Sequence, residues 1–311
     1  MAGKTAGRAG FRDPRILLPF LLITLIWSST WIVIKGQLGV VPPVWSVCYR
    51  FAIAGAAMMI IARMTGMRLG LGRGHVWAAL LGLLQFVLNY NLVYYSELYI
   101  TSGLAAVVFA LLVVPNSALA WLLFGERITL RFAAGSAVAM AGVALLFVQE
   151  LRQSATPSAE VLTGLGLVLL AVLAASASNV MQLAGGMKAR PIAPMLGWAM
   201  LYGAAMDAGF AWVSVGPPTV GTTAGYWLGL VYLGVVASAL AFWLYYGIIR
   251  AIGPAKAAYS SVLIPILAMA ISTVAEGYRW SALALAGGAL ALAGLVIALR
   301  SSRAPPPPPA D

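Results

Sequence analysis

The sequence predicts an all-α integral membrane protein: ten transmembrane helices in two inverted five-helix repeats, with both termini cytoplasmic. Three observations predict it. The chain is 62% hydrophobic and only 9% charged, where a soluble domain carries about a quarter charged residues. Ten runs of about 20 mainly apolar residues follow one another, each long enough to cross a bilayer as a helix whose backbone bonds are satisfied internally. The second half also repeats features of the first at an offset near 150 residues.

In chain order, residues 1–14 form a small, basic cytoplasmic N-terminus, and the spans begin at 16–35. That first run is too long for a cleavable leader and is followed at once by a second span. It carries Trp27, Ser28 and Trp31 and ends at Lys35. Runs at 43–63, 76–96, 103–124 and 130–149 complete a first repeat over 15–150. They contain Arg50, then Gln85 and Asn89, then Pro115, then Gly135 and Gly142. Residues 151–161 are predicted as a periplasmic linker. The second repeat, 162–300, has runs at 162–187, 192–215, 224–249, 256–275 and 280–299. These hold Ser176 and Asn179, then Asp207, then Trp243 and Tyr246, then Tyr259 and Pro265, then Gly287 and Gly294. Residues 301–311 form a proline-rich cytoplasmic tail of polyproline II character.

The formal charge of +11 is mostly an orientation signal. With the N-terminus inside, 15 of the 19 basic residues fall in inner segments, three (Lys35, Arg152, Arg279) fall outside, and Arg50 lies within a span. Bases so diluted by apolar sequence make the lipid bilayer the expected partner and exclude nucleic acid; no obligate protein partner is evident. The single cysteine, Cys48, excludes a disulfide framework and a multi-cysteine metal site. One histidine, His75, and three aspartates leave little for hydrolytic or metal chemistry, and no phosphate-binding loop occurs. The expectation is no enzyme, no cofactor and no metal.

The repeat is read from several matches. Gly55-Ala56-Ala57-Met58 recurs as Gly203-Ala204-Ala205-Met206, Tyr94-Tyr95 as Tyr245-Tyr246, Pro115 and Glu126 as Pro265 and Glu276, and Gly135 and Gly142 as Gly287 and Gly294. Five spans per half is odd, so the second half enters from the opposite side. Many secondary transporters are built this way, with substrate held near the midplane between repeats.

Polar and aromatic residues at helical spacing mark faces turned from lipid. The residues expected to bind a small-molecule substrate are Trp27, Ser28, Trp31, Gln85, Asn89, Tyr95, Tyr99, Ser176, Asn179, Trp243, Tyr246 and Tyr259. The competing assignments are an interfacial aromatic belt for the rings and interhelical hydrogen bonds for the amides. Tyr99, Trp121, Trp198, Trp212, Tyr226, Trp227 and Trp280 lie close enough to span ends for the belt, and His75 sits at a cytoplasmic edge. Pro115 and Pro265 are expected kinks and gating points. Arg50 would cost on the order of 2.5 to 3.5 kcal/mol if unpaired within the bilayer, so it is expected to meet an acid, a carbonyl or water. Asp207 and Glu97 are the acids at similar depth; either is also a candidate for a coupling proton. Glu126 and Glu276 are expected to cap or pair locally with Arg127, Arg131 or Arg279.

Pro115, Phe124-Gly125-Glu126, Gly135 and Gly142, repeated as Pro265, Glu276, Gly287 and Gly294, resemble the EamA-type, ten-helix members of the drug/metabolite transporter superfamily. Trp27-Ser28-Ser29 with Lys35, followed by Arg50, carries the same resemblance, which covers about residues 15–300. Within the family the chain looks most like the YddG-type exporters of bacterial inner membranes, which handle aromatic and other neutral amino acids. The resemblance implies a multi-pass inner-membrane carrier exporting amino acids or similar small metabolites by alternating access. Two departures stand out. Glu97 occupies a place where many members have a small residue, and Glu276-Gly277 reverses the order of Gly125-Glu126. The alternatives are an exporter of organic cations, whose charge the same rings would hold, and, in a different class, a membrane-embedded lipid-modifying enzyme. A sugar-nucleotide or phosphate antiporter would need several deep bases, and only Arg50 is present.

Overall fold

A computed structural model describes residues 13–125, 128–153, 157–181, 184–188, 190–252 and 260–301. The described residues are helical, without strands. Helix α1 spans Pro14–Lys35, started by Asp13, whose carboxylate accepts the Arg15 N–H at 2.9 Å, with Pro14 at the first position where no N–H is needed. Helix α2 spans Pro43–Met64. Helix α3 runs through Gly72–Ser96, and its middle, Gly82–Asn89, is π-helical. Helix α4 comprises Ser102–Phe109, a 3-10 turn at Ala110–Leu112, and Val113–Phe124. Helix α5 is Leu130–Gln153, α6 is Ser158–Met181 and α7 is Ile192–Ser214. Helix α8 joins Ala224–Val231, a second π-helical stretch at Tyr232–Leu240, and Ala241–Ile252. Helix α9 is Ser260–Ala275 and α10 is Ala282–Ser301.

Six of these helical segments are long and apolar enough to cross a membrane: Pro14–Lys35, Pro43–Met64, Gly72–Ser96, Ser102–Leu123, Ser158–Met181 and Ala224–Tyr245. Their outward faces match that reading. Leu18, Leu21, Leu22 and Leu25 of α1 are exposed, a stripe that lipid solvates and water would not. Helix α5 continues through Leu151, Arg152 and Gln153, and α6 begins at Ser158.

Each π-helical stretch contains a glycine against a neighbouring backbone. A Cβ on Gly82 would stand 2.6 Å from the Ala199 carbonyl of α7, and one on Gly234 would stand 3.0 Å from the Arg50 carbonyl of α2. Two further glycines, Gly125 and Gly277, end their helices in the left-handed region at φ 68°, which favours glycine. They are 152 residues apart. The turn glycines are therefore the equivalent positions, and the acids beside them are not: Glu276 precedes its glycine and Glu126 follows its own.

Helix α5 packs chiefly on α10, and α2 on α7. At the first seam the repeated glycines meet one another. A Cβ on Gly142 would lie 2.6 Å from the Gly287 carbonyl, and one on Gly294 would lie 2.6 Å from the Gly135 carbonyl. Close backbone approach through small residues is the usual basis of helix association in lipid.

Candidate functional site

Helices α1, α3, α4, α6, α8 and α9 enclose a cavity of about 170 Å³. Its aromatic wall is assembled from both ends of the sequence. The indole N–H of Trp27 donates to the Ala237 carbonyl in the π-helical part of α8 at 3.1 Å. The same ring meets Phe242 and Tyr245 edge-on, with centroids 5.5 and 5.0 Å apart, a favoured arrangement for ring quadrupoles. Trp31 packs edge-on against Phe109 at 5.6 Å. These five rings and Tyr90 all line the cavity.

The polar part is a set of amides on α3 and α6. Gln85 donates to the Asn89 carbonyl oxygen at 3.3 Å and accepts from the Ser178 hydroxyl; Asn89 donates to the Ala171 carbonyl at 3.0 Å. Asn179 lines the cavity as well. Among the described residues, no charged side chain lines the cavity, and the polar groups they present are amides, hydroxyls and ring faces.

Of the residues expected at the site, Trp27, Trp31, Gln85, Asn89 and Asn179 line the cavity, together with Pro265. Ser28, Tyr95, Tyr99, Ser176 and Trp243 do not. Ser28 turns back to the Thr24 carbonyl at 2.6 Å, and Ser176 is buried with its hydroxyl unpartnered among the described residues. Tyr99 packs at the α3–α6 contact, where a Cβ on Gly164 would stand 2.8 Å from its own Cβ. Trp243 is 38% exposed on the outward face of α8. Tyr259 lies outside the described residues, as do Glu126 and the side chain of Tyr246.

Trp243 was expected as the counterpart of Leu92, 151 residues earlier, and neither residue lines the cavity. The residues that do, Tyr90 and Val93 of α3 and Phe242 and Tyr245 of α8, are 152 apart, so Trp243 falls one residue off the wall. Tyr90, Phe109, Phe242 and Tyr245 were missed; the spacing i, i+3 of Phe242 and Tyr245 was the available signal.

Pro115 stands three residues after the 3-10 turn Ala110–Leu112, and Phe109, Ala110 and Leu112 line the cavity. The backbone irregularity that accompanies this proline thus lies on the cavity wall. Pro265 lies inside α9.

Arg50 is 1% exposed and is not ion-paired with Asp207 or Glu97. Its Nε donates to the Ser238 hydroxyl at 3.0 Å and an Nη to the Tyr94 hydroxyl at 3.5 Å. The guanidinium lies over the Tyr90 ring, 4.5 Å from its centroid, and 5.5 Å from that of Phe51. It does not line the cavity; Tyr90, which does, covers it. A weakly hydrated guanidinium stacks on rings and hydroxyls without an acid.

Asp207 accepts from the Asn91 amide at 2.7 Å, and its other carboxylate oxygen has no partner among the described residues. Glu276 does not pair locally with Arg279. Its carboxylate crosses to the start of α4, accepting from the Ser102 N–H at 3.3 Å and from the Ser102 and Ser272 hydroxyls, a favourable place for a negative charge. Glu97 is fully buried, and neither of its carboxylate oxygens has a partner among the described residues. Burial pushes its carboxyl well above the usual range, Lys35 and Arg50 pull it down, and Glu276 adds to the rise. Lys35 donates to the main-chain carbonyls of Glu97 and, at 3.1 Å, of Ile100.

With this geometry in place, comparison with known proteins is informative. The model of the EamA-like transporter family matches residues 15–148 and again 162–300. A probable terminal-alkyne amino-acid exporter of Streptantibioticus cattleyicolor is 28% identical over 280 residues, 89% of this chain and 91% of that protein. The uncharacterized inner membrane transporter YedA of Escherichia coli strain K12 is 29% identical over 292 residues, 92% of each chain. Protein PagO of Salmonella typhimurium is 28% identical over 144 residues, a match spanning 47% of its length. A solved crystal structure superposes with a TM-score of 0.65 at 22% identity, covering 90% of this chain and 95% of the other, and so shares the fold.

Proposed function

Because the chain belongs to the EamA-like transporter family, we propose that it is a secondary carrier exporting amino acids, aromatic and other neutral ones, or closely similar metabolites. It is a transporter and not an enzyme. In this reading it crosses the bacterial inner membrane ten times, with both termini cytoplasmic, and works by alternating access between two inverted halves. The twofold family match, the paired π stretches and the reciprocal glycine contacts of α5 and α10 support two related halves. The base distribution supports the orientation, which places the Lys35 end of the bundle outside. The names of the Streptantibioticus and Escherichia relatives support the substrate class and the membrane.

The observation that carries the substrate reading is the cavity wall: six rings and three amides, with no charged side chain among the described residues. Rings accept an apolar or aromatic side chain, and amides can donate to and accept from an amino-acid head group. The organic-cation alternative is disfavoured by Arg50, because the fixed positive charge behind Tyr90 repels a cation and attracts a carboxylate across a low-dielectric wall.

The test is efflux of a labelled aromatic amino acid from proteoliposomes. Unlabelled aromatic amino acids are expected to slow it and quaternary ammonium compounds are not; the opposite ranking would overturn the substrate assignment.

A further inference from the structure

The Lys35 end of the bundle contains a group the cavity does not use. Glu97 follows the last residue of α3, fully buried, and both its oxygens lack a donor among the described residues. The contrast with Glu276 is direct. That carboxylate receives three donors, from Ser102 and Ser272. The ammonium that could serve Glu97, that of Lys35, is engaged by the carbonyls of Glu97 and Ile100 and holds the α3–α4 turn onto the end of α1. The charged and titratable groups around Glu97 are Lys35 of α1, Arg50 of α2 and Glu276 of α9, with Tyr94 on its own helix. Glu160 of α6 is exposed. Arg50 is spoken for by Ser238, Tyr94 and the Tyr90 ring.

Full burial without a donor, near a second carboxyl that takes three, disfavours the charged form of Glu97. We propose that Glu97 is a proton-binding site of the closed Lys35 end, loaded while the α3–α4 turn is packed on α9 and emptied when that end opens to water. The proton adds to the Glu97 carboxylate on closing and leaves to water on opening, so no other reactant is needed. Proton binding itself is independent of the carrier reading; only the opening of this end rests on it. The sign follows from linkage. The closed arrangement binds the proton more tightly than the open one, so acid favours closure. As pH rises between the open-state and closed-state titrations, the closed-to-open ratio falls by up to about tenfold per pH unit.

Two substrate-free measurements test this. In the reconstituted protein at neutral pH, the infrared carbonyl stretch of a protonated carboxyl is expected, to be lost in Glu97→Gln and shifted but kept in Glu97→Asp. In a Cys48→Ala background, the buried Ile100→Cys is probed with a membrane-impermeant maleimide, its rate divided by that of the exposed Leu98→Cys control at each pH. This ratio is expected to rise with pH in the parent, by up to about tenfold per unit, and to stay low and flat with Glu97→Gln. No band assignable to Glu97, or the same pH response with and without its carboxyl, overturns the proposal. Because no substrate is present, those outcomes are separate from a failure of amino-acid transport.

Discussion

The α5–α10 seam and the cavity wall are built in opposite ways. At the seam, Gly135, Gly142, Gly287 and Gly294 bring one backbone onto another, and a Cβ at any of the four would stand within 2.9 Å of a backbone atom across it. At the wall, α1, α3, α4, α6, α8 and α9 present side chains, six of them rings, around an open space. The lesson is that this fold separates what must not yield from what must accommodate a guest. The seam of α5 and α10 matches four glycines to main chain away from the cavity, while the cavity wall is made of side chains that can be exchanged.

The sharpest break of that comparison is Gly142→Leu or Gly294→Leu. The obstructing atoms are backbone, so overpacking should exceed about 3 kcal/mol, and folded yield in detergent, read by size-exclusion chromatography, should collapse. Gly209, which has open space around it, should accept alanine with normal yield; equal losses at both positions would mean the seam is not special. A smaller effect is expected at the wall. Asn179→Ala removes one amide at normal expression, and if it bonds the head group the apparent affinity for substrate should weaken by about tenfold, the value of a single hydrogen bond of roughly 1.4 kcal/mol. Trp27→Phe keeps the ring but loses the bond to Ala237, which should lower thermal stability by about 1 kcal/mol, measured in the absence of substrate. The smallest effect belongs to Trp243→Ala. Its ring faces outward, so transport should be unchanged, and a loss comparable to that at Asn179 would restore Trp243 to the wall.

How far the molecule was legible from its residues depended on the range of the interaction. Periodicity and hydropathy located the helices, since both act within one segment; Pro14–Lys35 and Pro43–Met64 begin and end within two residues of expectation. Five cavity residues were recognisable because a ring or amide at mid-span has few other uses in lipid. Arg50 was expected to meet an acid, a carbonyl or water, whereas two hydroxyls and two rings surround it. Glu276 looked local because Arg279 is three residues away, yet its partner Ser102 is 174 positions distant. No sequence spacing encodes that contact. The wall of α8 was misread because Leu92, the residue from which Trp243 was reached across the repeat, does not itself line the cavity.

The two π-helical stretches have a mechanical consequence. Each resembles a length of thread cut at a different pitch, carried in α3 immediately before Tyr90 and in α8 immediately before Ala241. Rewinding either to the common pitch would lengthen the helix and twist everything beyond it about the axis, without leaving a run of main-chain groups unbonded. Tyr90 and Val93 on one side, or Phe242 and Tyr245 on the other, would then sweep around together like the bit of a key. The chain thus contains, at matched places, slack that can be converted into rotation.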